Sequence, residues 1–236
     1  MSNSFFQFQQ FRIEQSNSAM KVGVDSLALG CWTSVLQTDS ILDIGCGTGL
    51  LSLIMAQRNP KARILGIDID DGALLDANLN VNLSKWKSQI EIKHISLQAL
   101  AKENSLKFNL VISNPPYFNS AHACSDSRRT LARHDKKLNM HELINDSLKL
   151  LKVNGKMSII YPSDRVDRLI SYGEGLGLSV SRICKLIPIE GKSSHRTMVE
   201  LTKYTTATLK AESLTIRNRT GEYTSSYKEL TSDFYL

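Results

Sequence analysis

Asp43-Ile44-Gly45-Cys46-Gly47-Thr48-Gly49 stands between the apolar run Ile41-Leu42 and the amphipathic stretch Leu50 to Arg58. Small residues at this junction let the backbone turn tightly between a strand and a helix and approach a ligand closely. By itself such a turn identifies no ligand. The spacing here is GxGxG rather than GxGxxG. Roughly twenty residues later a second apolar run ends in Gly66-Ile67-Asp68-Ile69-Asp70, which puts an acid where it can accept hydrogen bonds from ribose hydroxyls. The two signals together indicate an adenosine-containing cofactor. Nicotinamide dinucleotide and S-adenosylmethionine both fit at this point.

Outward from the turn, strand-like runs alternate with amphipathic segments. Arg63 to Ile67 is followed by the helical Gly72 to Leu83, then by the runs Ile90 to Ile95 and Phe108 to Ile112. Met140 to Leu151 reads as a helix, Lys156 to Tyr161 as a strand, and a further helix is expected to start at a cap near Ser163 or Asp164. Two more strands, near Ser179 to Ile187 and Thr197 to Tyr204, are expected to close the sheet. The pattern predicts an α/β fold with a mostly parallel sheet and helices on both faces. Phe118 to Lys137 is the longest stretch without periodicity, polar and basic, and is a candidate for substrate contact.

The chain of 236 residues suits one domain, with 42% hydrophobic and 22% charged residues. We divide it into an N-terminal cofactor-covering segment (1–36), a core (37–205) and a C-terminal tail packed on the core (206–236). No apolar run reaches the roughly 18 residues that a membrane span needs, and the N-terminus lacks the layout of a signal peptide, so a cytoplasmic protein is expected. Cys31, Cys46, Cys124 and Cys184 show no metal-ligand spacing and read as reduced thiols, some of them buried; no metal is expected. A net charge of +6 is compatible with a polyanionic partner.

Val111-Ile112-Ser113-Asn114-Pro115-Pro116-Tyr117 ends a buried run abruptly in an amide, two prolines and a ring. Asn114 offers an amide oxygen and Pro115 a free carbonyl, and each residue before a proline is held near an extended conformation. Two acceptors are thereby fixed in space. A planar exocyclic amine, such as N6 of adenine, has a lone pair delocalised into its ring and is a poor nucleophile until both hydrogens are gripped. The acceptor pair would stabilise the positive charge that develops on nitrogen, and Tyr117 would stack on the base.

DxGxGxG resembles motif I of the class I S-adenosylmethionine-dependent methyltransferases, and NPPY resembles motif IV of amino-methyltransferases acting on adenine N6, guanine N2 or glutamine nitrogen. Ala19 to Trp32, the glycine turn, Ile112 to Tyr117, Arg128, Arg129 and Arg133, and the ending Tyr223 to Leu236 resemble the tRNA1(Val) (adenine(37)-N6)-methyltransferase family over nearly the whole chain. That resemblance implies a class I fold of seven strands, S-adenosyl-L-methionine as cofactor, and a tRNA adenine as substrate. It implies that Asp43, Gly45 and Gly47 line the methionine side, that Asp68 holds the ribose, and that Asn114, Pro115 and Tyr117 hold the target adenine. Ser96 stands where such enzymes often carry an acid near the cofactor adenine. A hydroxyl there gives a weaker hydrogen bond than a carboxylate.

Lys21 is a further candidate for the cofactor pocket, with Asp25 beside it, and Arg128, Arg129 and Arg133 are candidates for RNA phosphates. Arg217, Arg219, Tyr223, Tyr227 and Lys228 fit either an RNA-contacting surface or a tail anchored on the domain. Phe5, Phe6, Phe8 and Phe11 are expected to pack a short edge strand against the core. A monomer is expected. Other nitrogen substrates (rRNA guanine, DNA adenine, protein glutamine) and a non-catalytic RNA-binding module remain open alternatives.

Overall fold

The computed structural model describes residues 3–35, 39–103, 105–116, 138–203 and 209–235. In chain order the elements are β1 (Phe5–Gln7), β2 (Arg12–Glu14), α1 (Val24–Trp32), β3 (Ser40–Ile44), α2 (Leu50–Arg58), β4 (Arg63–Asp68), α3 (Asp71–Leu83), β5 (Ile90–His94), α4 (Leu97–Glu103) and β6 (Phe108–Ser113). They continue with α5 (Met140–Leu150), β7 (Leu151–Pro162), α6 (Val166–Gly175), β8 (Ser179–Ile189), β9 (Arg196–Thr202), β10 (Lys210–Arg217) and α7 (Ser225–Leu230).

The main sheet runs β10-β8-β9-β7-β6-β3-β4-β5. Every strand is parallel to the rest except β9, which pairs antiparallel with both β7 and β8. Apolar residues cover both faces because the central strands are buried on two sides. Leu110, Ile112 and Ile160 join the residues of α1 and α2 in one core cluster. Val111, Met157 and Ile159 point the other way, into a second cluster with residues of α4, α5 and α6. This alternation follows from the two-residue period of a strand.

Three expectations are corrected. The sheet has eight strands among the described residues, not seven, because β10 from the C-terminal tail adds itself parallel to β8. Arg182 secures this addition: it lies over the Trp32 ring, 4.3 Å from its centroid, and pairs with Glu212 of β10 at 3.2 Å. The phenylalanine-rich N-terminus is not an edge strand of that sheet. It forms a separate hairpin, β1 with β2, whose connecting residues Phe8 and Phe11 do pack into the core as expected, against Tyr235 and Trp86. Finally, Ser163 does not cap α6, which begins after Arg165; the Ser163 hydroxyl instead meets those of Ser194 and Thr197 at 3.0 and 2.9 Å.

The tail tyrosines resolve in favour of anchoring for Tyr227, which is wholly buried and stacked with Tyr223, their centroids 4.9 Å apart. Among the described residues no helix is long and apolar enough to cross a membrane. Cys31, Cys46 and Cys184 are free and buried, and Cys124 lies outside the described residues.

Candidate active site

β3 pairs with β4 on one side and β6 on the other, so the carboxyl ends of all three strands meet at one edge. Open α/β sheets bind their ligands outside this edge. Leaving β3, the chain turns back on itself: Gly45 and Cys46 both donate their N–H to the Ile67 carbonyl, at 2.9 and 3.0 Å. That path requires φ of +67° at Gly45 and +56° at Gly47, values that side chains disfavour. A Cβ added at either position would meet no protein atom within 4 Å. The two glycines therefore border open space, and a ligand can approach their backbone closely.

Asp68, at the end of β4, faces this turn. Its Oδ2 accepts the Gly47 N–H at 2.8 Å, and its Oδ1 accepts from Ile69 and Asp70 N–H at 2.7 and 3.0 Å. Three backbone donors fix the carboxylate, yet its two oxygens have about four lone-pair sites, so capacity remains for hydroxyl donors. Asp43 is enclosed rather than open to the edge. Its Oδ2 accepts from the Ser52 N–H at 3.0 Å and the Ser52 hydroxyl at 2.7 Å, which ties β3 to the first turn of α2. Burial pushes its carboxyl up to about 7; the Ser52 hydrogen bonds oppose this and nearby Asp68 adds to it. Ser96 caps α4, its Oγ accepting the Ala99 N–H at 3.2 Å, and keeps a hydroxyl proton to donate.

Lys21 is exposed, and its Nζ donates to the Gln15 carbonyl. The segment around it is stitched to α3 by residues that the sequence did not single out. Asp76 accepts from Asn17 N–H at 3.0 Å, Asn17 Nδ2 at 2.8 Å and Ser18 N–H at 2.7 Å. Desolvation works against the Asp76 charge, but the bonds from Ser18 and Asn17 outweigh it and hold the carboxyl below its ordinary range. Asn80 accepts from Glu14 N–H at 2.7 Å and donates to the carbonyls of Glu14 and Thr48, at 2.8 and 2.9 Å. One amide thus joins β2, α3 and the glycine turn.

On the β6 side, Asn114 is half-buried and Pro115 buried. Asn114 Nδ2 donates to Ser26 Oγ of α1 at 2.8 Å. An amide whose nitrogen is held in this way presents its oxygen in a set direction. Next to Ser26, Asp25 pairs with Arg196 Nε of β9 at 3.2 Å, which fastens α1 to the sheet. Burial pushes the Asp25 carboxyl up, and Arg196 opposes that. Tyr117, Arg128, Arg129 and Arg133 lie outside the described residues.

Residues 23–166 match the methyltransferase small domain family. A Bacteroides thetaiotaomicron protein named tRNA1(Val) (adenine(37)-N6)-methyltransferase is 38% identical over 237 residues, covering 100% of this chain and 99% of the relative. The chain belongs to that family. Solved structures share the fold at lower identity. A predicted O-methyltransferase of Agrobacterium tumefaciens has a TM-score of 0.66 at 19% identity, covering 89% of this chain and 95% of the other. A Listeria monocytogenes protein assigned to the class I S-adenosylmethionine-dependent methyltransferases has a TM-score of 0.58 at 18% identity, covering 85% and 67%. As a member of the tRNA1(Val) (adenine(37)-N6)-methyltransferase family this chain is a class I methyltransferase, with S-adenosylmethionine as its methyl donor. The open space beside Gly45 and Gly47 and the lone-pair capacity of Asp68 fit an adenosyl group.

Proposed function

We propose that this protein methylates N6 of adenine 37 in tRNA1(Val), the activity named for its Bacteroides relative, acting as a cytoplasmic monomer. The observation that carries the reading is the Asn114–Ser26 contact at the end of β6, one strand from the glycine turn. When bound, S-adenosylmethionine supplies an electrophilic methyl group on a sulfonium. Gly45, Gly47 and Asp68, with Ser96 and Lys21 at the margins, hold the donor; Asp43 keeps the turn in shape from beneath.

Asn114 Oδ1 and the Pro115 carbonyl accept the two N6 hydrogens of the target adenine, and Tyr117 stacks on its base. Positive charge developing on N6 would strengthen both hydrogen bonds, so their contribution would fall mainly on the transition state, and one N6 proton would then be released to solvent. Orientation and exclusion of water supply the rest. The reacting amine reaches these groups only when the base is unpaired and unstacked. Arg128, Arg129 and Arg133, in the basic stretch that follows NPPY, neutralise phosphates of the bound RNA.

The test is transfer from labelled S-adenosylmethionine to unmodified tRNA1(Val) transcripts carrying adenine or guanine at position 37. Label recovered as N6-methyladenosine from the first transcript and absent from the second is the expected result. Label at another nucleoside, or equal incorporation into both, rejects the assignment.

A further inference from the structure

A cleft of about 710 Å³ opens beyond the carboxyl end of β7, between the first turn of α5 and the first two turns of α6. That volume lies within the range of small-ligand sites, about 300–1,000 Å³. Its lining includes His141, Tyr161, Arg165, Asp167, Arg168 and Tyr172. None of these belongs to the donor site or to NPPY.

Its position follows from register. Ser113 of β6 is paired with Ile159 of β7, so Tyr161 lies beside the NPPY end of the neighbouring strand, about 4.8 Å away in ladder spacing. Ile160 faces α1, as Asn114 does, whereas Tyr161 packs against the cluster on the opposite face. The cleft is therefore next to the target-base site, at the same carboxyl edge but on the opposite face of the sheet. A polynucleotide with one base at Asn114 has its flanking nucleotides within reach of this edge.

The lining places two tyrosine rings beside two guanidinium groups. Tyr172 is already oriented: His141 meets its ring edge-on at 4.5 Å and 74°, and its hydroxyl accepts from Asn145 Nδ2 at 2.8 Å. A ring fixed before binding costs little further entropy when a base stacks on it. Arg165 and Arg168 stand at the start of α6, where guanidinium groups and the helix dipole both favour a phosphate. Arg165 is paired with Asp164 at 3.6 Å, while Arg168 is exposed and makes no ion pair among the described residues. Asp167 is the one carboxylate in the lining, and Asp164 already offsets Arg165, so the exposed guanidinium of Arg168 is the main phosphate contact offered there.

We infer that this cleft binds a nucleotide flanking the methylated adenine, with its base against Tyr161 and Tyr172 and its phosphate on Arg165 and Arg168. The inference rests on the RNA substrate proposed above and names a second contact for it. The test combines protein variants with abasic substitutions at each nucleotide flanking the target in an RNA hairpin substrate. At one flanking position, an abasic residue should weaken binding to the wild type roughly ten-fold. Tyr172→Ala, which lacks the stacking ring, should bind the abasic and the intact hairpin equally, and Tyr172→Phe should bind like the wild type. Arg168→Ala, an exposed change, should weaken binding several-fold and lower the slope of log K against log salt by about one, with S-adenosylmethionine affinity unchanged. If no flanking abasic position weakens wild-type binding, or if Arg168→Ala leaves affinity and salt slope unaltered while the wild type still methylates the hairpin, the cleft is not a nucleotide site. If the wild type neither binds nor methylates RNA, the substrate reading itself fails.

Discussion

On the β3–β4 side of the carboxyl edge, the turn's own N–H groups do most of the fixing: Gly45 and Cys46 donate to the Ile67 carbonyl and Gly47 to the Asp68 carboxylate. On the β6 side the work passes to side chains, with Asn114 on Ser26 and, one residue away, Asp25 on Arg196. These bonds need only the permitted φ values and one acid at the end of the next strand, so the donor half is specified within a short stretch of sequence. The acceptor half depends on α1, which comes from a distant part of the chain and is itself held by β9. In this account the first half binds the donor in ground and transition states alike, and the second half does the differential work of catalysis.

The two halves should separate most clearly at Asn114. Asn114→Ala should lower the single-turnover methylation rate by about 10²–10³-fold, the range for losing one charge-stabilising contact, with calorimetric S-adenosylmethionine affinity nearly unchanged. A parallel loss of cofactor affinity would mean that the two halves are not separate. On the donor side, Asp68→Ala should weaken S-adenosylmethionine binding by about 1.5–3 kcal/mol, the value for hydrogen bonds to a charged group. Unaltered affinity would remove Asp68 from the ribose.

Asp43 makes the stability of the donor half depend on pH. Its carboxyl is raised from 3.8 to about 7, so the folded state keeps a proton that the unfolded chain has released. The stability this proton provides is present at low pH and lost as pH rises towards about 7. Relative to the wild type, Asp43→Asn should gain about 2 kcal/mol of stability between pH 5 and pH 7, measured by urea unfolding. A pH-independent offset between the two would show that burial does not hold the proton there. The smallest effect is expected at Ser26. Ser26→Ala leaves Asn114 in place but removes one neutral partner of its amide, worth about 1 kcal/mol. The rate should fall up to ten-fold at saturating cofactor, and Ser26→Thr should restore most of it. A Ser26→Ala rate equal to that of the wild type would show that the contact does not orient Asn114.

Much of the donor half was legible in sequence because its rules are local. The glycine spacing, the acid after the next strand and the alternation of strand with helix are each set within about twenty residues, and the boundaries of α2 agree with the pattern. Ser26, Asp76 and Asn80 were not legible. They are ordinary residue types whose partners lie 88, 58 and 66 positions away, as in Asn114–Ser26, Ser18–Asp76 and Glu14–Asn80. β10 escaped for a related reason: its first four residues are exposed, and only Leu214 and Ile216 carry the buried alternation. Ser163 misled because a hydroxyl before a helix suits a cap, and here it joins a hydroxyl cluster on β9 and the loop before it.

The division of the edge into a binding half and a chemical half is tested most directly by one pair of rates. Single-turnover formation of N6-methyladenosine would be measured on unmodified tRNA for Asp68→Ala and Asn114→Ala, each at saturating S-adenosylmethionine. A rate close to wild type is expected for Asp68→Ala, whose binding loss saturation overcomes, and at least a 100-fold deficit for Asn114→Ala. A full rate for Asn114→Ala, or an equal deficit in both variants, would contradict that division.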